Sequence, residues 1–318
     1  MPTLKPVRES IVEVGDNSWV IGDEIFLSRQ CVAPHSGCFW SDGAGSFYTI
    51  SAEPAIQPLP QTSPLSPSSP IQLVHDAGDC NAAWRIGEAF LKVQLLDTST
   101  TTREHTTLAY LHDPANGPIP TFPIPHVLYH KEINNRYYLI TTRVPGETLE
   151  KAWPTMDESA KRACVDRVVD ICKELARREN DKICCIDGGD LCDNWMKPPH
   201  ASDGYSHDIL LSYCKEIGVD CSAFALYHCD MGPKNVIVDL TQSCIVGLVD
   251  WEKTGFVPKG WIRTKFCVCW AMDFDYPGED VEQSQDWRQR VQLRLAQEDF
   301  PEVADAWRSR FRKAYQNR

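Results

Sequence analysis

The sequence lacks any apolar run close to the ~18–20 residues that a membrane-spanning helix needs. Its first ten residues are polar and contain two prolines, so they match neither a signal peptide nor an amphipathic transit peptide. The 318 residues are enough for one two-lobed domain or two ordinary domains with a sizeable core. We therefore predict a cytoplasmic protein that has no membrane partner.

The sequence also lacks an excess of positive charge. Its 32 Lys and Arg residues stand against 44 Asp and Glu residues, which gives a formal net charge of −12. A nucleic acid partner needs a basic face to match its phosphate backbone, so this balance argues against one. A cationic small-molecule substrate is compatible with the negative charge, although net charge alone does not select a substrate.

Cysteine spacings that would indicate a structural zinc site are missing. The chain has 14 cysteines, but none are paired as C-x-x-C, and many stand inside apolar runs such as 266–270. The chain is also too long and too poor in cysteine for a secreted disulfide scaffold. We predict free, mostly buried thiols that pack as small hydrophobic side chains.

Prolines and serines are concentrated between residues 54 and 70. Because proline cannot donate to a strand ladder or continue a helix, this stretch predicts a loop or linker that ends an N-terminal extension, 1–70. We expect this extension to pack on the small lobe or to form part of it. Similar hairpin patterns, an aromatic-led strand, a Gly-acidic turn and an apolar strand, occur at 19–28 and 84–93. We interpret them as chance similarity rather than duplication, and only the second carries a lysine, Lys92.

The remainder of the chain changes from strands to helices along its length. Residues 71–144 have the order strand, helix, strand, strand, which predicts a small antiparallel-sheet lobe with one helix. From 145 to 318 the pattern is mainly helical. One predicted helix carries a buried stripe at the spacing expected for a helical face, formed by Cys164, Val168, Cys172 and Leu175. The predicted fold class is therefore α+β, with a small mixed lobe and a mainly α lobe.

The densest group of polar residues lies between two short apolar strands. The first strand leads to His228 and Asp230, a tight Gly-Pro turn follows, and Asn235 comes five positions after the aspartate. The second strand ends at Asp250. Phosphoryl transfer requires a group that orients the attacking hydroxyl and ligands for Mg²⁺. Asp230 could accept the hydroxyl proton, and Asn235 and Asp250 supply the hard oxygen ligands that Mg²⁺ requires.

This pattern, H-x-D-x-x-x-x-N followed by an apolar strand and D-W-E, resembles the catalytic signature of the aminoglycoside phosphotransferase and choline kinase-like family. Segments 123–128 and 138–149 resemble the family's hinge, and 256–266 resembles its fungal members. The resemblance extends from about Lys92 to Phe266. It implies a protein-kinase-like two-lobed fold and an ATP-dependent transfer of phosphate to a hydroxyl group of a small molecule.

The resemblance also implies roles for individual residues. Asp230 would be the catalytic aspartate, Asn235 and Asp250 would hold Mg²⁺, and His228 would brace the loop. A lone aspartate in a turn can instead simply satisfy backbone donors, which is the structural alternative for Asp230.

For the nucleotide, the resemblance implies four further residues. Lys92 would contact the α- and β-phosphates of ATP, and Glu104 would pair with Lys92. The backbone of the hinge from Thr142 to Val144 would bind adenine. As structural alternatives, Lys92 could be an edge lysine whose charged end reaches solvent, and Glu104 an acidic residue in the first turn of a helix. ATP and Mg²⁺ are the cofactors implied.

The sequence departs from the family pattern in three places. The candidate for a glycine-rich phosphate loop, 75–82, has only Gly78, whereas such a loop normally lets several backbone N–H groups approach phosphates. Cys229 stands where relatives commonly have glycine or arginine. D-W-E replaces the D-F-G of protein kinases and no A-P-E segment follows, which argues against a protein kinase.

Three functional hypotheses follow from this sequence. The first is an active small-molecule O-phosphotransferase, monomeric or homodimeric. The second is a pseudokinase-like binding protein that keeps the fold without phosphorylating anything, and the poor glycine loop favours it. The third is a biosynthetic enzyme that uses phosphorylation to activate its substrate. The set of Lys92, Asp230, Asn235 and Asp250 favours an enzyme, because four polar groups are otherwise costly to retain.

Overall fold

The computed structural model describes residues 5–51, 61–96, 102–197, 204–241, 244–276 and 281–316. The chain forms two compact units. The first unit consists of Met1–Ser99 and Pro125–Arg143, and the second of Thr100–Ile124 and Val144–Arg318. The chain therefore passes between the two units three times, and the last of these crossings lies within the predicted hinge.

An antiparallel six-stranded sheet occupies most of the N-terminal extension. Its strands are β1 (Ile11–Gly15), β2 (Ser18–Ile21), β3 (Ile25–Gln30), β4 (Phe39–Ser41), β5 (Phe47–Ser51) and β6 (Ser63–Pro64). They are arranged in the order β4-β5-β3-β2-β1-β6. A short 3₁₀ helix, Val7–Glu9, precedes the sheet.

A second antiparallel sheet in the first unit has five strands. They are β7 (Ile71–Asp76), β8 (Asn81–Ile86), β9 (Ala89–Leu95), β10 (Val127–Ile133) and β11 (Arg136–Thr142). Their order is β10-β11-β9-β8-β7, so β9 lies in the middle of the sheet. Lys92 on β9 has Ala83 of β8 and Leu139 of β11 as its cross-strand neighbours.

The two sheets pack face to face around one hydrophobic core. Its large members include Trp19 and Tyr48 from the first sheet and Trp84, Leu91 and Tyr138 from the second. Burial of so much aromatic and aliphatic surface is the main stabilising contribution in this unit.

Lys92 lies on the other face of the five-stranded sheet. Its neighbours along β9, Leu91 and Val93, both belong to the shared core, and side chains alternate along a strand. The N-terminal sheet thus covers the face opposite Lys92 and leaves the lysine-bearing face uncovered by the extension.

The two similar hairpins of the sequence are β2–β3 and β8–β9, one in each sheet. Their turn glycines, Gly22 and Gly87, both have a φ of +61°, a left-handed conformation that glycine adopts without strain. Gly22 also packs against the Tyr138 ring so closely that any Cβ atom would overlap with it. The hairpins are therefore alike in local geometry while they stand on opposite sides of one core.

The predicted linker differs from the structure in one part. Residues 54–60 of that stretch lie outside the described residues, but Ser63–Pro64 forms β6 and pairs with β1. Because β6 is an outer strand of its sheet, a residue without an N–H group is tolerated there. The proline-rich stretch is thus in part a strand and not only a loop.

The second unit contains the helices and two small sheets. Its helices are α1 (Glu104–His112), α2 (Leu149–Ala152), α3 (Glu158–Leu175), α4 (His207–Glu216), α5 (Lys259–Val268), α6 (Val281–Ala296) and α7 (Ala304–Gln316). Its strands are β12 (Glu147–Thr148), β13 (Glu179–Asn180), β14 (Cys184–Cys185), β15 (Phe224–His228), β16 (Val236–Asp239), β17 (Ile245–Leu248) and β18 (Thr254–Pro258). Short 3₁₀ helices are Pro114–Asn116, Trp153–Thr155 and Trp270–Met272.

The strands of the second unit form sheets in the orders β12-β16-β17 and β13-β15-β18-β14. Helix α3 packs its predicted stripe inward, and this prediction is confirmed because all four of its residues are buried: Cys164, Val168, Cys172 and Leu175. Asp157 caps the helix by accepting a hydrogen bond from the Ala160 N–H. The α+β fold class predicted from the sequence is confirmed as well.

All 14 cysteines are free, as predicted, and seven of them are buried. The expectation that most would be buried is therefore met by only half of them. None of the described helices combines the length and apolar character that crossing a membrane requires.

Candidate active site

The candidate active site is built on the loop between β15 and β16, residues 229–235, and on the turn after β17. All five residues of β15 are buried, and the strand pairs with β18 so that His228 lies opposite Thr254. Strands β16 and β17 form an antiparallel hairpin. These pairings bring the chain around Asp230 next to the segment that contains Asp250.

His228 connects these two segments. Its Nδ1 atom accepts a hydrogen bond from the Asp230 N–H at 3.3 Å, so the neutral ring carries its proton on Nε2. That Nε2 atom lies 3.1 Å from the Val249 carbonyl oxygen. The ring is fully buried, with its edge against Trp251, and burial lowers the pKa of His228. A neutral histidine thus fixes the backbone before Asp250 relative to that of Asp230.

Asn235 closes the loop from its other end. Its Nδ2 atom donates to the Asp230 carbonyl oxygen at 2.8 Å, and its own carbonyl accepts from the Val249 N–H at 3.0 Å. Because the amide nitrogen is used in the first bond, the Oδ1 atom is the part of the side chain left for a further donor or a cation.

Asp250 stands in an uncommon backbone conformation. Its φ of +67° is left-handed, a region that only a few per cent of non-glycine residues occupy. The residues on either side are both fixed: Val249 bonds to Asn235, and the Trp251 N–H donates to the Glu104 carboxylate at 3.1 Å. The surrounding bonds therefore hold this strained residue in place, as is often seen at functional sites.

Lys253 is a site residue that sequence reasoning missed. Its Nζ atom lies 2.9 Å from Oδ2 of Asp230, and its carbonyl accepts from the Cys229 N–H at 2.8 Å. Burial by itself would raise the pKa of Asp230, but the attraction and hydrogen bond of Lys253, together with weaker interactions, lower it. The antiparallel register of β15 with β18 explains this contact, and spacing in the sequence does not reveal that register.

A second lysine–aspartate pair lies in the interior of the same unit. Lys265 contacts Asp193 at 2.7 Å, and the Trp261 indole N–H donates to the same carboxylate oxygen at 3.0 Å. Although burial alone would lower it, the pKa of Lys265 is raised because Asp193 attracts the charge. Lys265 also contributes, more weakly than Lys253, to the lowered pKa of Asp230.

The predicted nucleotide-binding residues are divided between the units. Lys92 and Thr142 belong to the first unit, and Glu104 and Val144 to the second. Glu104 is buried and begins α1. The predicted pairing of Lys92 with Glu104 stays a prediction.

Within the predicted hinge, two backbone N–H groups already have partners. The Thr142 N–H donates to the His126 carbonyl, and the Arg143 N–H donates to the Glu88 carbonyl, both at 2.9 Å. Val144 makes neither of these bonds. Adenine binding through the backbone of the hinge from Thr142 to Val144 stays a prediction.

The candidate phosphate loop, 75–82, forms the turn between β7 and β8. Gly78 has a φ of +71° there. Arg8, from the N-terminal extension, forms ion pairs with two carboxylates of this turn, Asp76 at 3.1 Å and Asp79 at 2.7 Å. The turn is thus an acidic hairpin attached to the extension rather than a loop rich in glycine.

The loop and the turn after β17 carry two side chains with the oxygen ligands that Mg²⁺ takes. Among the described residues, no three His, Cys, Asp or Glu side chains converge as a metal site would require. A Mg²⁺ site in a phosphotransferase needs only one or two protein oxygens, because phosphates and waters complete the coordination. The amide oxygen of Asn235 and the carboxylate of Asp250 are of this type and fit that need.

No family model matches the sequence, and no curated protein matches it. Among solved structures, the chain is similar to a thermostable mutant of aminoglycoside phosphotransferase APH(4)-Ia in ternary complex with AMP-PNP and hygromycin B. The identity is 15%, the TM-score is 0.50, and 76% of this chain and 83% of the other are covered. Aminoglycoside-3'-phosphotransferase of type VIII is also similar, at 15% identity and a TM-score of 0.47, over 77% of this chain and 92% of the other. The similarity to APH(4)-Ia shows that the chain has the α+β, protein-kinase-like fold of the aminoglycoside phosphotransferases.

Proposed function

We propose that this protein transfers the γ-phosphoryl group of ATP to a hydroxyl group of a small molecule. The observation that carries the proposal is the arrangement of three polar residues around one loop: Asp230, Asn235 and Asp250. Hydrogen bonds from the side chains of His228 and Asn235 hold the backbone around these three residues. Such a network of hydrogen bonds between buried polar groups favours one arrangement of the loop.

Asp230 acts on the acceptor hydroxyl in this proposal. Its side chain is 35% exposed, so a small substrate can reach it. As the acceptor oxygen bonds to the γ-phosphorus and the bond from that phosphorus to the bridging oxygen breaks, the hydroxyl proton passes to Asp230 and ADP leaves with the electron pair. The lowered pKa of Asp230 keeps the carboxylate ionised in the resting protein.

Asn235 and Asp250 would hold Mg²⁺, which neutralises the charge of the phosphates when it is bound. The bond from Asn235 Nδ2 to the Asp230 carbonyl fixes the rotation of the amide, so that its oxygen takes one direction. The left-handed backbone of Asp250 is held by bonds to both of its neighbours. These residues therefore present their oxygens without rearrangement of the loop.

Lys92 and the hinge would bind the nucleotide. Lys92 lies on the face of its sheet that the N-terminal extension does not cover, and in a central strand, where backbone pairing on both sides makes its position rigid. We expect it to contact the α- and β-phosphates, and Val144 to offer its backbone to adenine. Membership of the fungal branch of the family stays a prediction from segment 256–266.

The acceptor is proposed only as a class. The net charge of −12 suits a cationic hydroxyl compound, of which hygromycin B in the similar structure is one kind. A biosynthetic substrate that is activated by phosphorylation fits the same chemistry. The turn at 75–82 favours a second candidate, a binding protein that does not turn over ATP, because its single glycine gives few backbone N–H groups close access to phosphates.

The test is a calorimetric titration of the full chain with ATP, in the presence and the absence of Mg²⁺. We expect binding that needs Mg²⁺ and is lost in Asp250→Ala. Asp305→Ala is the matched control, because that side chain is 99% exposed in the same unit and should bind as the wild type does. An assay of ADP release with a panel of hydroxyl compounds would then identify the acceptor. Absence of binding at millimolar ATP, or equal binding by Asp250→Ala, would overturn the proposal.

A further inference from the structure

Lys253 is the side chain that directly neutralises the candidate catalytic aspartate. Among the described residues, it is the only side chain that donates a hydrogen bond to the Asp230 carboxylate, and it contacts only one of the two oxygens. The ion pair is partly open to solvent, with 45% of the Lys253 side chain and 35% of the Asp230 side chain exposed. A pair of this kind is held weakly, since water competes with each partner.

The backbone of Lys253 is rigid even though its side chain is not enclosed. Its carbonyl is bonded to the Cys229 N–H, and the next residue, Thr254, is fully buried and paired with His228 in the sheet. The lysine therefore has a fixed Cα beside the loop and a flexible four-carbon side chain. This combination allows the ammonium group to move by a few ångströms without any change in the fold.

The other lysines around the loop do not contact the Asp230 carboxylate. Lys265 is buried against Asp193 and has no room to move. Lys234 lies within the loop but pairs with Glu150 and Asp275, at 3.7 and 3.6 Å. Of these lysines, Lys253 is therefore the one best placed to form an ion pair with an anionic group that binds next to Asp230.

We propose that Lys253 has two successive partners: it holds Asp230 in the resting protein and contacts the γ-phosphate when ATP is bound. The proposal rests on the proposed phosphotransferase function. A triphosphate carries more negative charge than one carboxylate, so the ammonium group gains by moving to it. The move frees Oδ2 of Asp230 to accept the proton of the acceptor hydroxyl. Lys253 keeps its own proton throughout and stabilises charge on the transferred group, as lysine and arginine do in phosphoryl transfer.

The test compares the affinities for MgATP and MgADP by calorimetry, because only ATP carries the γ-phosphate. For Lys253→Met we expect the affinity for MgATP to fall about tenfold, which corresponds to the loss of one charge-assisted hydrogen bond, while MgADP binds nearly as before. Lys253→Arg should recover most of the MgATP affinity, since it keeps the charge. Lys173→Met, which removes a partly exposed lysine of α3 that pairs with Glu298, is the control and should change neither affinity.

The outcomes separate this inference from the function on which it rests. If the wild type binds neither nucleotide, the phosphotransferase function fails. If the wild type binds both and Lys253→Met weakens them equally, weakens neither, or strengthens MgATP, the function stands and the role of Lys253 is wrong. Lys253→Gln repeats the comparison if the methionine variant does not fold, and thermal unfolding of each variant checks that the fold is retained.

Discussion

Two of the lysine–aspartate pairs in the second unit, Lys265–Asp193 in the interior and Lys253–Asp230 at the loop, differ in how completely they are enclosed. In the interior pair, 5% of the Lys265 side chain and 1% of the Asp193 side chain are exposed, and Asp193 also accepts hydrogen bonds from the Trp261 indole and the Trp195 backbone. In the loop pair, 45% of Lys253 and 35% of Asp230 are exposed, and Asp230 has one side-chain donor.

This difference in burial suggests different roles for the two pairs. A buried pair resists separation, because either charge alone would be left without solvent or partner. An exposed pair with an open oxygen can exchange one partner for another at little expense in free energy. The same residue types therefore serve stability in one place and, we propose, phosphoryl transfer in the other.

Removal of the buried cation should produce the largest effect. We expect Lys265→Met to lower the free energy of unfolding by ~3–5 kcal/mol, because Asp193 would remain buried without its partner. Denaturant unfolding of the variant and the wild type measures this difference. A loss below ~1 kcal/mol would show that the interior pair is not the structural element described above.

Removal of the proposed base should affect activity and leave the fold intact. With an acceptor identified from the panel, Asp230→Asn should lower the rate of ADP release by ~10²-fold or more, the usual contribution of a positioned general base. Its free energy of unfolding should change by less than ~1 kcal/mol, since the Lys253 pair is exposed. Activity of Asp230→Asn within a few-fold of the wild type would contradict the assignment.

The buried histidine at the end of β15 should make the stability of the protein depend on pH near neutrality. His228 has a pKa below its usual 6.5 in the folded state because it is buried. Below pH ~6.5 the unfolded chain therefore binds a proton that the folded protein does not. As the pH is lowered through this range, the free energy of unfolding decreases by up to ~1.4 kcal/mol for each pH unit. The free energy of unfolding stops decreasing once the pH is below the pKa of His228 in the folded state. Above pH ~6.5 the histidine is neutral in both states and has no effect on stability through its titration.

Chemical denaturation between pH 7.5 and 5.5 measures that dependence, with His228→Gln as the comparison. The variant should show a shallower decline in stability over this range. Equal slopes in the two proteins would mean that His228 is not the neutral, buried group that connects Asp230 to Asp250.

Removal of the exposed cation should have the smallest effect on stability. Lys253→Met should change the free energy of unfolding by less than ~0.5 kcal/mol, as is usual for exposed pairs. The contrast with Lys265→Met, measured in the same denaturant series, is the direct test of the difference between the two pairs. A loss as large as that of Lys265→Met would assign Lys253 to the structural framework.

The sequence predicts the loop well because its geometry is local. His228, Asp230 and Asn235 lie within eight consecutive residues, and a short hairpin connects them to Asp250. The contact of Lys253 depends instead on the pairing of β15 with β18, two strands that are not neighbours along the chain. Spacing along a sequence carries information about turns but not about such a register.

The N-terminal extension shows the same limit. Its hairpins are recognisable from turn glycines and alternating apolar residues, but their stacking on the five-stranded sheet is a non-local arrangement. Strand β6 pairs with β1 across about fifty residues, and its proline argued for a loop. The sequence therefore could not show that the extension covers the face opposite Lys92.

The most direct test of the central claim is a crystal structure of the full chain with Mg²⁺ and AMP-PNP. The account predicts a metal ion bound to Asn235 and Asp250, the γ-phosphate in contact with the Lys253 ammonium group, and an Asp230 carboxylate that no longer bonds to Lys253. A nucleotide whose phosphates lie away from Asp230, with the Lys253–Asp230 pair unchanged, would contradict it.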